Sequence, residues 1–342
     1  MMMPGKQEGD AMAGSTATSK LLPFFTAALK TFQHSSKTFA VLCSVATTTT
    51  TATELAPPSP PHPSPRTLLV LDSSFNPPTV AHRRMVLSAL SDVKYAHDSS
   101  RVLLLLATSN ADKAPKPAAF PERLAMMYIF AEDLLAQYLS SEGASGPSPS
   151  SPSSSSGGGL SGVDIAVTTE PYFHSKSAAV HRSGFYHPTS HAAAAAAVAD
   201  GSEDVPREGQ QATEQVYLTG FDTLIRIFNS KYYPGQAMSD VLDPFFAHSS
   251  LRVTMRTDAD WGDAAEQEAY LDELRGGKLD EMGGRTEWAD KIEMTAGRKE
   301  GEDVVSSTKV RDAVKRQDWG GLEGLTSPGA ARWVREQKLY EE

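Results

Sequence analysis

The sequence is poor in the residues that announce several functional classes. A single cysteine, Cys43, stands among 342 residues, so no internal disulfide can form, and such usage fits a reducing compartment. No apolar run approaches the roughly 20 residues needed to span a bilayer, and no membrane association is expected. Positive charge is in deficit, with 32 Lys and Arg against 42 Asp and Glu and a formal net charge of −10. That balance argues against nucleic acid as a partner and confines any phosphate site to a local positive patch. The chain has no internal repeat, and no arginine precedes Arg66. A soluble protein of the cytoplasm or nucleus is expected. The Ser/Thr-rich, acid-poor N-terminus makes a mitochondrial transit peptide the competing view, which the missing arginines oppose.

What is present is a core-forming composition, 40% hydrophobic, arranged in two kinds of apolar segment. Continuous runs at Leu68 to Leu71, Arg101 to Ala107, Val163 to Val167 and Gln215 to Thr219 read as buried strands. Further strands are expected at Leu251 to Met255 and Lys291 to Met294. Between them lie amphipathic helices: one after Thr79, one opening at Pro121, and others at His174 to His181, Phe221 to Phe228, Trp261 to Arg275, Ser307 to Arg316 and Ala330 to Lys338. Strand and helix alternate, which predicts an α/β fold with a doubly wound parallel sheet and helices on both faces. Residues 1–66 read as an N-terminal extension, disordered to residue 17, with a helix over 19–38, a short strand at Phe39 to Val45 and a Thr/Pro-rich linker over 47–65. The main domain is expected over 67–342, with low-complexity insertions at about 140–162 and 190–213; Gly276 to Thr286 reads as a loop.

The chain is organised around Arg66 to Leu90. A buried strand runs into the small-residue turn Asp72 to Asn76, then two prolines, then Thr79 and His82 at the start of a helix. Free N–H groups and the positive end of a helix dipole at a strand's C-terminal edge bind phosphate well. Asn76 adds an amide, Thr79 a hydroxyl and His82 an imidazole that can donate to a phosphate oxygen. A stiff turn followed by a surface histidine would give the same pattern, so this stretch alone does not decide. Downstream, Val305-Ser306-Ser307-Thr308-Lys309-Val310-Arg311 sets a serine N-cap before a helix whose Arg311 can turn back toward the same anion.

Taken together these stretches resemble the nicotinamide mononucleotide adenylyltransferase family of the nucleotidylyltransferase superfamily, in a divergent fungal-type branch. Ser73-Ser74-Phe75-Asn76-Pro77-Pro78-Thr79-Val80-Ala81-His82 is similar to its signature Gly-Ser-Phe-Asn-Pro-x-Thr-x-x-His, and residues 305–311 are similar to Ile-Ser-Ser-Thr-x-x-Arg. Gly220-Phe221-Asp222 matches a Gly-x-Asp whose acid sits near the nucleotide ribose in that family, and Ala330 to Tyr340, ending Gln337-Lys338-Leu339-Tyr340, looks like its closing helix. Two departures stand out. Ser73 replaces the usual glycine, and Thr168 to Ser177 carries no tryptophan where family members stack one on nicotinamide.

The resemblance implies a Rossmann-like fold and adenylyl transfer from ATP, with Mg²⁺ carried largely by ATP itself. The acceptor it implies is nicotinamide mononucleotide, and the products are NAD and pyrophosphate. His82 would meet the α-phosphate, with Thr79 and Asn76 orienting the phosphates. Ser306, Ser307, Thr308 and Arg311 would hold the β- and γ-phosphates. Lys113, with Lys116 in reserve, would assist from the loop after the second core strand. Ser73, Ser74, Phe75, Gly220 and Asp222 complete the expected ATP site, and Tyr172, Phe173 and Lys176 the acceptor site. Arg123 falls where family members also carry an arginine, or pairs only with Glu122 or Glu132. An ATP hydrolase, or a nucleotide-binding adaptor, would share the same phosphate residues. His174, His181, His187 and His191 fit no tight zinc pattern, and no protein-held metal is expected.

Overall fold

The run Leu68–Leu71 is buried on both faces, at 0–1% exposure, and lies within the central strand β2 (Thr67–Asp72). Its alternate side chains serve two separate cores: Leu69 and Leu71 face one helical layer, Leu68 and Val70 the other. The computed structural model describes residues 8–47, 55, 58–96, 99–109, 117–144, 159–187, 213–256, 261–298 and 302–342. Strand β2 pairs in parallel with β3 (Ser100–Ala107) and with β5 (Glu214–Gly220). The sheet continues in parallel through β4 (Leu160–Thr168) on one side and β6 (Ser249–Thr254) and β7 (Ile292–Thr295) on the other. An edge strand β1 (Phe39–Ala46) pairs antiparallel to β4, giving the order β1-β4-β3-β2-β5-β6-β7.

The six parallel strands follow the doubly wound order, with the chain reversing direction across the sheet between β2 and β5. On the Leu69 face pack α1 (Glu8–Gln33), α2 (Val80–Leu90), the one-turn α3 (Val93–Ala96), α4 (Phe120–Ala144), and two later helices. Phe25, Val86, Tyr95 and Phe130 are their buried anchors. The opposite face takes α5 (Phe173–Arg182), α6 (Phe221–Ile227), α7 (Met238–His248) and α8 (Ala264–Glu273), through Val180, Leu224, Phe245 and Leu271. The chain then returns to the first face as α9 (Ser307–Lys315) and α10 (Pro328–Glu336), anchored by Val310 and Trp333. In the middle of β4, buried Asp164 accepts two 2.6 Å bonds from Arg101 and further bonds from Tyr186 and Ser44, tying β1 to the sheet.

Several expectations need correcting. Helix α1 begins at Glu8, inside the stretch expected to be disordered, because its alanines are strong helix formers; it ends at Gln33, earlier than residue 38. Its stripe Leu21, Phe25, Leu29 and Phe32 recurs at the helical period and is buried. Helix α7 went unread because Pro244 lies inside it. Four buried anchors around the proline, Val241, Leu242, Phe245 and Phe246, outweigh one missing N–H. Within the expected loop Gly276 to Thr286, Gly277 at φ +110° kinks the chain out of helical geometry, and one short helical turn, Leu279–Glu281, follows. The central parts of both low-complexity insertions lie outside the described residues.

Candidate active site

A cleft of about 1160 Å³ opens along the C-terminal edge of the parallel strands. All six contribute to it: Asp72 to Ser74 after β2, Ala107 to Ser109 at β3, Pro171 after β4, Thr219 and Gly220 at β5, Thr254 to Arg256 at β6, and Ala296 to Arg298 after β7. This is where open α/β sheets place ligands, at the reversal of strand order.

The first signature forms one wall. Phe75 takes a left-handed φ of +44° and buries its ring completely, a conformation that costs a bulky residue of order 1–3 kcal/mol. Ser74 is thereby left exposed on the cleft, and Asn76–Pro77 is a cis peptide. His82 occupies the third position of α2 and accepts from the Thr79 N–H at 3.0 Å, the part a glutamate plays in a capping box. A backbone N–H can only donate, so Nδ1 of His82 is the acceptor and the ring proton sits on Nε2. That Nε2–H donates to Ser73 Oγ at 2.9 Å, at the mouth of the cleft. Burial pushes the imidazole pKa down to about 4, so the ring is neutral over the physiological range.

Residues more than 200 positions downstream hold this wall in place. Arg311 donates to the Asn76 carbonyl at 2.7 Å, Ser307 Oγ to the Pro77 carbonyl at 2.8 Å, and Thr326 Oγ1 to the Pro78 carbonyl at 2.6 Å. Three consecutive carbonyls are thus each taken by a side chain from the C-terminal segment. The amide oxygen of Asn76 faces inward, where it accepts from the Tyr340 hydroxyl at 2.8 Å and from the Ala118 N–H at 3.3 Å. Thr79 is likewise 1% exposed, with its hydroxyl on His82 Nδ1 at 2.9 Å. Asn76 and Thr79 therefore shape the loop and aim His82. Ser306 caps α9 by accepting from the Lys309 N–H, which leaves the helix N-terminus turned to the cleft beside Ser307 and Thr308. Arg311 also donates to Thr308 Oγ1 at 3.0 Å.

Across the cleft, Gly220 caps α6, and a Cβ there would stand 2.7 Å from the Asp222 carboxylate. Asp222 pairs with Arg256 at 3.3 Å. The remaining wall is aromatic. Tyr172 stacks on His174 with centroids 5.6 Å apart, and meets Tyr232 edge-on at 6.2 Å; His174 in turn meets Tyr233 at 5.6 Å. Phe173 packs on Tyr217 at the edge of the core. Lys176, expected in the acceptor site, forms a 2.5 Å ion pair with Asp72, both side chains 7% exposed. That carboxylate, at the end of β2, neutralises the lysine. Lys113 and Lys116 lie outside the described residues. Among the described residues no cluster of three or more His, Cys, Asp or Glu is arranged to hold a metal, and no helix is long and apolar enough to cross a membrane.

No family model matches the chain. A curated relative from Schizosaccharomyces pombe, named "Putative nicotinamide mononucleotide adenylyltransferase", is 32% identical over 251 residues, spanning 73% of this chain and 77% of that one. The chain belongs to the nicotinamide mononucleotide adenylyltransferase family. It is accordingly a nucleotidyltransferase. Two solved structures of the Plasmodium falciparum nicotinic acid mononucleotide adenylyltransferase, with NaAD and with APC, match 81% of this chain and 98% of theirs. Their identities are 12% and 13% and their TM-scores 0.44 and 0.40, too low to carry argument.

For a member of this family, sequence reading missed the residues that act through others. Thr326, which belongs to no motif, and Tyr340, read only as the end of the closing segment, clamp the signature loop. Tyr232 and Tyr233 complete the aromatic wall from the segment after α6; the signal available was the tandem Lys231-Tyr232-Tyr233. Asp72 was legible only as the first residue of the turn Asp72 to Asn76, although it is the partner of Lys176.

Proposed function

We propose that this protein transfers the adenylyl group of MgATP to nicotinamide mononucleotide, forming NAD and pyrophosphate. The observation that carries the reading is the interlock of the two signatures, in which Arg311 and Ser307 grip the carbonyls of Asn76 and Pro77. A phosphate oxygen of the acceptor forms a bond to the α-phosphorus as the bond to the bridging oxygen breaks, and pyrophosphate departs with that electron pair. No protein nucleophile is needed, so rate comes from holding the groups in line and stabilising charge on the phosphates. His82, neutral and protonated on Nε2, supplies a donor to a non-bridging α-phosphate oxygen, exchanging its bond to Ser73 for one to substrate. The N–H groups at the start of α9 and the guanidinium of Arg311 receive the β- and γ-phosphates. The Ser307 hydroxyl proton is committed to Pro77, so that residue serves through its backbone N–H. Mg²⁺ arrives with the nucleotide.

The tyrosine-lined wall supports a planar, cationic acceptor ring, since electron-rich faces attract a pyridinium. The ring wall therefore weighs against a hydrolase or a mere adaptor. It also supports the amide over the acid form of the acceptor, because the Lys176 charge that would draw a carboxylate is spent on Asp72. Incubation with ATP, Mg²⁺ and either mononucleotide tests the reading by chromatography. NAD and pyrophosphate should accumulate, faster from the amide acceptor. If neither dinucleotide forms from folded protein, the reading is wrong; release of orthophosphate without an acceptor would replace it with hydrolysis.

A further inference from the structure

A buried guanidinium on the cleft lies outside the two interlocked signatures. Arg123 lies in the first turns of α4 at 5% exposure. Its Nε donates to the Ala118 carbonyl at 2.9 Å and its guanidinium carbon sits 5.1 Å from the Phe120 ring centroid. One terminal nitrogen, Nη2, is buried with no hydrogen-bond partner. Neither neighbouring carboxylate on α4 answers it: Glu122 accepts from Trp333 Nε1 at 3.1 Å and Glu132 engages Tyr128. No carboxylate among the described residues forms an ion pair with it. Arg123 and Arg311 line the same cleft; burial disfavours the protonated form of Arg123, Tyr340 favours it, and the like charge of Arg311 disfavours it.

A buried, unpaired guanidinium is expensive, and such groups persist where an ion or ligand completes them. The geometry points to Arg123 as a polyphosphate-binding residue that, together with Arg311 on the same cleft, grips the terminal phosphates of the nucleotide and the pyrophosphate that leaves. The inference rests on the adenylyl-transfer reading for the identity of the anion. An anion between the two arginines removes their repulsion and gives Nη2 the acceptor that the protein withholds.

Calorimetric titration of the full chain with inorganic pyrophosphate and with tripolyphosphate tests this, alongside melting curves. The R123Q variant should bind both anions about 10- to 100-fold more weakly than the natural protein. R123K, which keeps the charge but loses the planar fork, should fall between them. Tripolyphosphate bound by R123Q as tightly as by the natural protein overturns the assignment. Should R123Q fail to fold, R123K decides: a smaller anion-induced rise in melting temperature than the natural protein supports it, and an equal rise overturns it. Absence of binding by the natural protein would instead sink the adenylyl-transfer reading, and this inference with it.

Discussion

The two walls of the cleft are built on different principles. The nucleotide wall is a main-chain structure: three successive carbonyls are held by side chains from the C-terminal segment, and a backbone N–H sets the tautomer of His82. The acceptor wall is a side-chain structure, made of ring contacts among Tyr172, His174, Tyr232 and Tyr233 and one ion pair, Lys176–Asp72. Hydrogen bonds to main chain fix residue type and spacing together, because a hydroxyl or guanidinium must meet a carbonyl within a few tenths of an ångström. Ring contacts tolerate exchange of one flat face for another. One wall is therefore tightly specified by its contacts and the other loosely.

The contrast breaks most sharply at His82. On the proposed mechanism His82→Ala removes the donor to the α-phosphate, and kcat should fall about 10²- to 10³-fold. The KM for the mononucleotide should stay unchanged, since the acceptor wall does not touch this ring; a rise in that constant would mean that the walls are not separate. The pH response follows from the same residue. Its folded pKa of about 4 lies below the ordinary value of 6.5, so its contribution to stability is complete above pH 6.5 and is lost as pH falls toward 4. Melting temperatures of the natural protein should therefore drop more steeply over that window than those of His82→Gln, while kcat stays level down to about pH 5 as far as this group is concerned.

On the acceptor side the largest effect should come from the ion pair. Lys176→Met leaves Asp72 buried without its counter-charge and should cost about 3–5 kcal/mol of stability. Pairing it with Asp72→Asn should return much of the loss, because two neutral groups replace two charges. Chemical denaturation of the two variants measures both. If Lys176→Met is as stable as the natural protein, the pair is not buried as described, and the lysine becomes available to a substrate anion.

A smaller loss is expected at the clamp. Thr326→Val keeps the side-chain shape but strips the donor from the buried Pro78 carbonyl, at a cost of about 1–3 kcal/mol. The KM for ATP should rise with it as the loop loosens, and the acceptor constant should not. Equal changes in both constants would make the clamp a general support of the fold.

How much of this could be read from the chain follows the same division. The parallel sheet was legible because Leu68–Leu71 and Arg101–Ala107 are apolar on both faces, a pattern with one common structural meaning. The loop of Asn76 to His82 was legible because its spacing is dictated by main-chain contacts. What escaped was held by partners distant in sequence. Nothing in Tyr340 or Thr326 foretells the loop they grip across more than 240 residues, and nothing in Lys176 foretells Asp72. Helix α7 escaped for a local reason, since Pro244 reads as a break until the burial of Phe245 and Phe246 is known.

The gentlest substitution bears most directly on whether the acceptor wall does the work of a tryptophan. Tyr172 offers one face to His174 and its edge to Tyr232, and it lines the cleft. Aromatic contacts of this kind are worth about 0.5–1.5 kcal/mol, so Tyr172→Ala should raise the mononucleotide KM by about 2- to 13-fold with little change in the KM for ATP. Tyr172→Trp should keep or lower the acceptor KM, since a larger face makes the same contact with no main-chain hydrogen bond to disturb. If the alanine variant leaves the acceptor constant untouched, Tyr172 is packing only and the ring must lie against Tyr232 and Tyr233. If the tryptophan variant loses binding severalfold, the wall is as tightly specified as the nucleotide wall, and the distinction between the two halves of the cleft fails.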